Sequence, residues 1–282
     1  MGKVIVSGAA PQMTVPSTFP PIGTALNDMT WEQIRAISDA GKAADYFNLG
    51  DTKTITINGK VGNTTFSNLS VDAFIIGFNH NSAREGSNRI HFQIGKISGA
   101  HIALCDSHYG SNGSSASYFQ MNASNTNSGG WNGSSMRKTL LGNSGTPTSP
   151  PSNSLLAALP SDLRAVMKAV TKYSDNNGGG SDAARYVTST TDYLFLLSEF
   201  EYQGYTNHSN SAEKNYQAQY DYYKAGNSKI HYKHNATGTA AYAWCRSVVS
   251  DYSYRFCLVS TDGRANYDHA YRSRGVAPGF CV

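Results

Sequence analysis

No stretch of the 282 residues approaches the roughly 18 consecutive apolar positions of a membrane-spanning helix, so membrane insertion is not expected. Near the amino terminus only Val4 to Val6 is apolar, too short for a secretory signal, and the chain reads as cytoplasmically made. Charged residues are scarce, 15% of the total, and the net charge of +4 comes from scattered Lys and Arg with no basic run, which does not indicate a nucleic-acid partner. The four cysteines, Cys105, Cys245, Cys257 and Cys281, show no C-x-x-C spacing. They read as buried free thiols, with a Cys245–Cys257 disulfide as the alternative in an oxidising compartment. Catalytic patterns are missing as well: there is no G-x-S-x-G, Walker A or G-x-G-x-x-G motif. His231 and His234 are the only closely spaced histidines, and no cysteine or carboxylate pattern completes a zinc site around them. No metal, no cofactor and no enzymatic activity are therefore expected.

What is abundant is Gly, Ser, Asn and Thr, the vocabulary of turns, beside 39% hydrophobic residues. The chain is long enough for one large, loop-rich domain. Residues 1–28 hold four of the nine prolines and little periodicity, and read as an extended attachment arm before a domain at 29–282. Thr30-Trp31-Glu32-Gln33 is a capping box that opens a helix stopped at Gly41. Thr52 to Ile57 alternates as a strand with Asn58-Gly59 as its hairpin turn, and Ala73 to Phe78 and Arg89 to Ile94 read as further strands. Ser107 to Ser135 is either a long ordered loop or disordered, after which Ser134 caps a helix through Met136 and Leu141. Helical spacing runs from Ser161 to Tyr173, Asp192 to Leu197 is strand-like, and Ser211 to Ala225 suits a helix with Tyr216, Tyr220 and Tyr223 packed as core.

The final 42 residues, Ala241 to Val282, differ from the rest by what they omit. None of the twelve lysines lies there, and Glu, Gln, Met and Ile are also absent. Five of the eleven arginines and five of the eighteen tyrosines lie there instead, among Ser, Asp, Asn and His. Tyrosine gives wide amphipathic contact at low entropic cost and arginine gives forked hydrogen bonds, so this composition suits a ligand-binding surface. The candidate binding residues are Tyr242, Asp251, Tyr252, Tyr254, Arg255, Asp262, Arg264, Asn266, Tyr267, Asp268, His269, Tyr271, Arg272 and Arg274. Phe256, Leu258, Val259, Gly263, Ala265, Ala270 and Val276, interleaved with them, are expected to tie the backbone to the core. The competing reading is a solvated, tyrosine-rich terminal sheet.

Ala240-Ala241-Tyr242-Ala243-Trp244-Cys245-Arg246-Ser247, followed by Gly275-Val276-Ala277-Pro278-Gly279-Phe280-Cys281-Val282, resembles the ending of a bacterial and phage domain family. Its members close with W-W-L-R-S-P and G-V-x-P-x-F segments. Asn125 to Trp131 and Met136-Arg137 extend the resemblance, while Ala243, Cys245 and Val248 depart from it. Some members are variable proteins of diversity-generating retroelements. The resemblance implies an α+β, C-type-lectin-like fold of the formylglycine-generating-enzyme type, with a variable region at about 241–274. In such systems adenine misreading of AAC or AAT codons yields Tyr, Asp, Ser, Arg, Asn and His but never Lys, Glu, Gln or Met. Calcium-dependent lectins of this fold use a Trp-Asn-Asp partner, and here Trp131-Asn132 is followed by Gly133, so calcium is not expected.

These readings lead to a hypervariable target-binding protein, an adhesin at the tip of a phage or prophage tail. Its arm would meet tail proteins and its carboxy-terminal face a protein or glycan on a cell surface, with a homotrimer multiplying weak sites. The virion is the expected location. A bacterial cell-surface adhesin is the alternative, and a formylglycine-generating-type enzyme is the alternative from another class.

Overall fold

The structure, a computed structural model, describes residues 19–113, 115 and 117–282. It is α+β, with mostly antiparallel sheets and short helices. The first half builds a large sheet from β1 (Thr52–Val61), β2 (Thr64–Phe78), β3 (Ile90–Ile97) and β4 (Ala100–Ala103). The helices there are α1 (Trp31–Asp39), α2 (Ala43–Tyr46) and α3 (Ser82–Glu85). A long excursion follows, holding α4 (Gly130–Gly133), a π-helical turn at Met136–Leu140, α5 (Leu155–Ala158) and α6 (Ser161–Val166). A separate ladder pairs β5 (Val170–Asp175) with β6 (Val187–Asp192), and α7 (Glu199–Gln203) and α8 (Asp221–Lys224) come next. The chain then returns to the large sheet through β7 (His231–Lys233) and β8 (Ala236–Ala241). It closes with β9 (Ala243–Val248), β10 (Arg255–Val259), β11 (Ala265–His269) and β12 (Gly279–Cys281).

The large sheet runs β1-β2-β3-β4-β7-β8, with β12 paired to β3 and with β4 and β7 parallel. A second sheet runs β11-β10-β9. Thr30 forms the expected capping box with Gln33, and α1 buries Trp31, Ile34 and Ile37. Phe280 on β12 stacks on Phe92 at 5.1 Å and meets Trp31 edge-on at 5.9 Å, so the last strand fills the space under the first helix. The loop at 107–135 is ordered over its described residues and is pinned by Asp106. That carboxylate accepts from the Phe119 amide at 2.9 Å and from Ser273 Oγ at 2.6 Å.

Several local expectations give way to tertiary context. Asn58-Gly59 is not a turn: β1 runs through it with a register shift and reverses at Gly62-Asn63. Gly62 has φ of +55°, and a Cβ there would lie 2.0 Å from the Ser117 carbonyl. The helix opened by Ser161 stops at Val166, because from Lys168 the backbone joins sheet partners: Lys168 N–H donates to the Cys281 carbonyl and Val170 pairs with Asp192. The strand placed at 192–197 lies instead at 187–192. Ser211 to Ala225 divides into a 3-10 turn (Ser211–Asn215) and α8, yet Tyr220 and Tyr223 are buried as the stripe implied. All four cysteines are buried free thiols. Of the expected arm, residues 1–18 lie outside the described residues. Residues 26–28 already belong to the domain: Leu26 is buried, and the Asn27 side chain accepts from the Thr54 amide at 2.8 Å.

A fully buried ion network joins these parts. Lys172 of β5 donates to Glu85 at 2.6 Å, to Glu201 at 3.0 Å and to the Tyr220 hydroxyl at 2.8 Å. Arg246 of β9 forks onto both carboxylate oxygens of Glu201, with Nη2 at 2.8 Å from Oε1. Glu201 stays ionised despite its burial, because both cations hold its carboxyl well below the usual range. Neighbouring histidines are kept neutral by burial: His80 and His231 titrate near 3, His101 near 4, and His91 well below its ordinary value. Burial pushes Glu213 up to about 7.

The histidines, depressed on folding, contribute stability that is complete above their unfolded value near 6.5 and is lost as pH falls below it. Glu213, and Glu85, which burial likewise raises to about 7, act in the opposite sense, and the four histidines outweigh them. The melting temperature is therefore predicted to be level between pH 8 and 7 and to fall steadily toward pH 5; a melting temperature that rises toward pH 5 would refute this. Trp244, buried and donating through Nε1 to the Phe119 carbonyl at 3.2 Å, should cost about 3–5 kcal/mol on truncation to Ala. Phe280→Ala should cost a similar amount, and denaturant unfolding measures both.

Candidate recognition surface

The carboxy-terminal segment forms its sheet with β9 fully buried, β10 in the middle and β11 on the edge. Register pairs Arg255 with His269, Cys257 with Tyr267, and Phe256 with Asp268. Because strand side chains alternate, Arg255, Tyr267 and His269 share one face while Asn266 and Asp268 take the other. β11 has no strand on its outer side among the described residues, and its residues on both faces are half-buried or exposed. All the candidate binding residues are half-buried or exposed, and none is buried. Of the interleaved residues, Phe256, Leu258, Val259, Ala270 and Val276 are buried, while Gly263 and Ala265 are only partly so.

The candidates do not form a single cluster. The first gathers around Arg255, whose guanidinium lies 4.3 Å from the Tyr252 ring, 4.8 Å from Tyr267 and 5.2 Å from Tyr254. Tyr254 stacks on His269 at 5.1 Å, and His269 meets Tyr271 at 5.8 Å. The second is electrostatic. Arg274 Nε donates to Asp268 at 2.8 Å, Arg272 lies 3.8 Å from the same carboxylate, and the Arg274 guanidinium covers the Tyr242 ring at 4.8 Å. Asp262 and Arg264 sit apart at the β10–β11 turn, 3.7 Å from one another. Asp251 is exposed on the turn before β10, and Asn266 is exposed on β11.

Arg246, one of the arginines that enrich the segment, is no part of the surface; it is buried in the ion network. The sequence reading also missed the residues that frame the first cluster from outside the segment. His208 meets the Tyr267 ring edge-on at 4.7 Å. Its loop is held by Glu199, whose carboxylate accepts from the amides of Asn207, His208 and Ser209 at 2.9–3.1 Å. Asn125 Nδ2 lies 3.0 Å from His269 Nδ1, and Asn112 donates to the Tyr271 hydroxyl at 3.2 Å. The asparagine-rich run beginning at Asn125 was the available signal. Asn127 fixes the backbone below the tyrosines: its Nδ2 donates to the carbonyls of Tyr252 at 2.6 Å and Arg255 at 2.9 Å, and its Oδ1 accepts from Gly179 N–H at 2.8 Å.

His80, Glu85 and Glu201 bring three ligand-type atoms within 4.8 Å of one another. The Lys172 ammonium already contacts both carboxylates, so the cation of that cluster is supplied by the chain itself. His231 and His234 are drawn into other work: His231 Nε2 lies 3.4 Å from the Tyr202 hydroxyl, and His234 Nδ1 accepts from the Cys105 amide at 3.1 Å.

Asn127→Ala is predicted to cost about 1–3 kcal/mol, since it removes three hydrogen bonds between a buried side chain and partly exposed backbone groups, each worth roughly 0.5–1.5 kcal/mol net. Asp268→Ala should cost more than Asp262→Ala, because only Asp268 is a half-buried carboxylate with two arginine partners. Equal unfolding free energies for the two Asp variants would contradict it.

Comparison with curated proteins and with solved structures returns no match. A family profile described as a domain of unknown function, DUF6273, matches residues 108–282. The match takes in the long loop, β5 to β12 and the whole tyrosine-rich surface, well over half of the chain, and the chain belongs to the DUF6273 family.

Proposed function

We propose that the chain is a target-binding protein that reads its partner with the tyrosine- and arginine-rich face of β10, β11 and their flanking turns. The domain would be C-type-lectin-like, of the formylglycine-generating-enzyme type, and its variable positions would be diversified by a retroelement. The observation that carries this reading is the division of labour in the segment. The candidate residues, all of types that adenine misreading can produce, stand outward, while most of the apolar residues between them are buried; Arg246, Ser247, Ser260 and Ser273, of the same types, are buried. A surface that must vary needs such a division, because exposed substitutions cost little folding energy and a few Tyr and Arg anchors carry most of an interface. Placement at a phage or prophage tail tip follows from the sequence resemblance; a cell-surface adhesin would use the same face.

Thiol chemistry is disfavoured by the state of the cysteines. Burial pushes Cys105 and Cys281 up to about 12, and Cys245 and Cys257 well above the ordinary thiol value. A nucleophilic thiol needs the opposite shift. Among the described residues no helix is long and apolar enough to cross a membrane.

Two measurements test the proposal. The coding locus should hold a near-identical repeat that differs from the segment at adenines, beside a reverse transcriptase; a locus with neither removes the diversification. Against a target recovered by selection on intact cells, Tyr252→Ser and Tyr267→Ser should each weaken binding at least tenfold. Tyr252→Ser, the more exposed change, should move stability by only about 0.5 kcal/mol. Binding that survives both changes would remove this face from recognition.

A further inference from the structure

Arg255 differs from every other arginine on this face. Arg264 is paired with Asp262, and Arg272 and Arg274 with Asp268, whereas no ion pair among the described residues reaches Arg255. Its Nε is buried and has no hydrogen-bond partner, a trait shared with Arg272, whose Nε nonetheless has the Asp268 carboxylate at 3.8 Å. Three tyrosine rings surround the guanidinium at 4.3–5.2 Å. Ring faces attract the positive charge, but they cannot accept the N–H bonds that radiate in the guanidinium plane. A planar acceptor with two oxygens is what such a fork takes, and a carboxylate supplies it.

The surroundings narrow the carrier of that acid. Charge on the rest of the segment's surface is mixed, with Asp251, Asp262 and Asp268 against Arg264, Arg272 and Arg274, so a densely anionic partner is disfavoured and a single acidic group is accommodated. Beside Arg255 the exposed ring of Tyr252 offers apolar surface for the C–H side of a pyranose. The exposed amides of Asn112 and Asn125 stand at the rim, each already oriented by a neighbouring aromatic side chain, and they suit sugar hydroxyls.

Resting on the reading of this face as a recognition surface, we propose that Arg255 receives the carboxylate of an acidic sugar, so that the ligand is a glycan bearing a uronic- or sialic-type residue. The full chain, labelled with 15N, can be titrated with methyl β-D-glucuronide and methyl α-N-acetylneuraminide, with methyl β-D-glucoside and sodium sulfate as controls. The Arg255 Nε–H resonance is assigned by its loss in Arg255→Lys. At least one acidic sugar should shift that resonance saturably and bind at least tenfold more tightly than the glucoside. Arg255→Gln should abolish the preference and Arg255→Lys should weaken it, with both variants still folding cooperatively. A glucoside that binds as well as the acids overturns the role of Arg255 yet leaves the face a sugar-binding one. Sulfate that binds as tightly overturns the sugar assignment. No shift with any probe overturns the inference while the target-binding assay still judges the face, and loss of both would bring down the two readings together.

Discussion

Glu201 is the point on which the three sheets converge. Its carboxylate takes Arg246 from the terminal sheet and Lys172 from the β5–β6 ladder, and Lys172 also reaches Glu85 on the connection between β2 and β3 of the large sheet. Charges withdrawn from water cost several kcal/mol each and are stable only when fully paired, so this cluster is demanding about geometry in a way that apolar packing is not. The Ser198 amide, in its capping box, donates to the same carboxylate at 3.0 Å and so sets the start of α7. From α7 the adjoining Glu199 organises the His208 loop at the edge of the aromatic cluster. The orientation of the outward face is in this sense inherited from a buried carboxylate.

How much of this was legible depended on whether a signal was local. The capping box at Thr30, the core role of Tyr220 and Tyr223, the burial of the cysteines and the outward placement of the tyrosines all follow from side-chain chemistry within a few residues. The hairpin at Asn58-Gly59 failed because Gly62, three residues on, sits against the Ser117 carbonyl, a contact made by residues remote in sequence. The helix expected to reach Tyr173 failed for a related reason: Val170 and Lys172 also alternate as a strand, and the partner β6 decides between the two periods. In the site, composition found the residues but could not show that 265–269 is a strand, whose alternation splits them between two faces. Arg246 is the instructive error of composition, since a buried and an exposed arginine are spelled alike.

The surface combines positions of different thermodynamic weight. Arg264 leans on little besides Asp262, which itself braces an exposed turn by accepting from Ser260 Oγ and the Arg264 amide, whereas Asp268 holds Arg274 over Tyr242 and Tyr254 is stacked on His269. Variation at Arg264 is nearly free. At the second set a change alters the shape of its neighbours, so variants there would explore arrangements in groups and not singly.

β12 adds a constraint on timing. Its partner β3 ends at Ile97, yet the strand begins at Gly279, so that pairing of the large sheet waits until the whole outward segment has been synthesised. Contacts of such sequence separation are slow to form, and the sheet face that β12 will cover stays open while the ribosome works through the segment. A nascent chain interrupted anywhere in that stretch would lack Phe280 and leave Trp31 and Phe92 facing water, which marks it for chaperones and proteases. Completion of the core thus depends on reading through the whole tyrosine-rich segment.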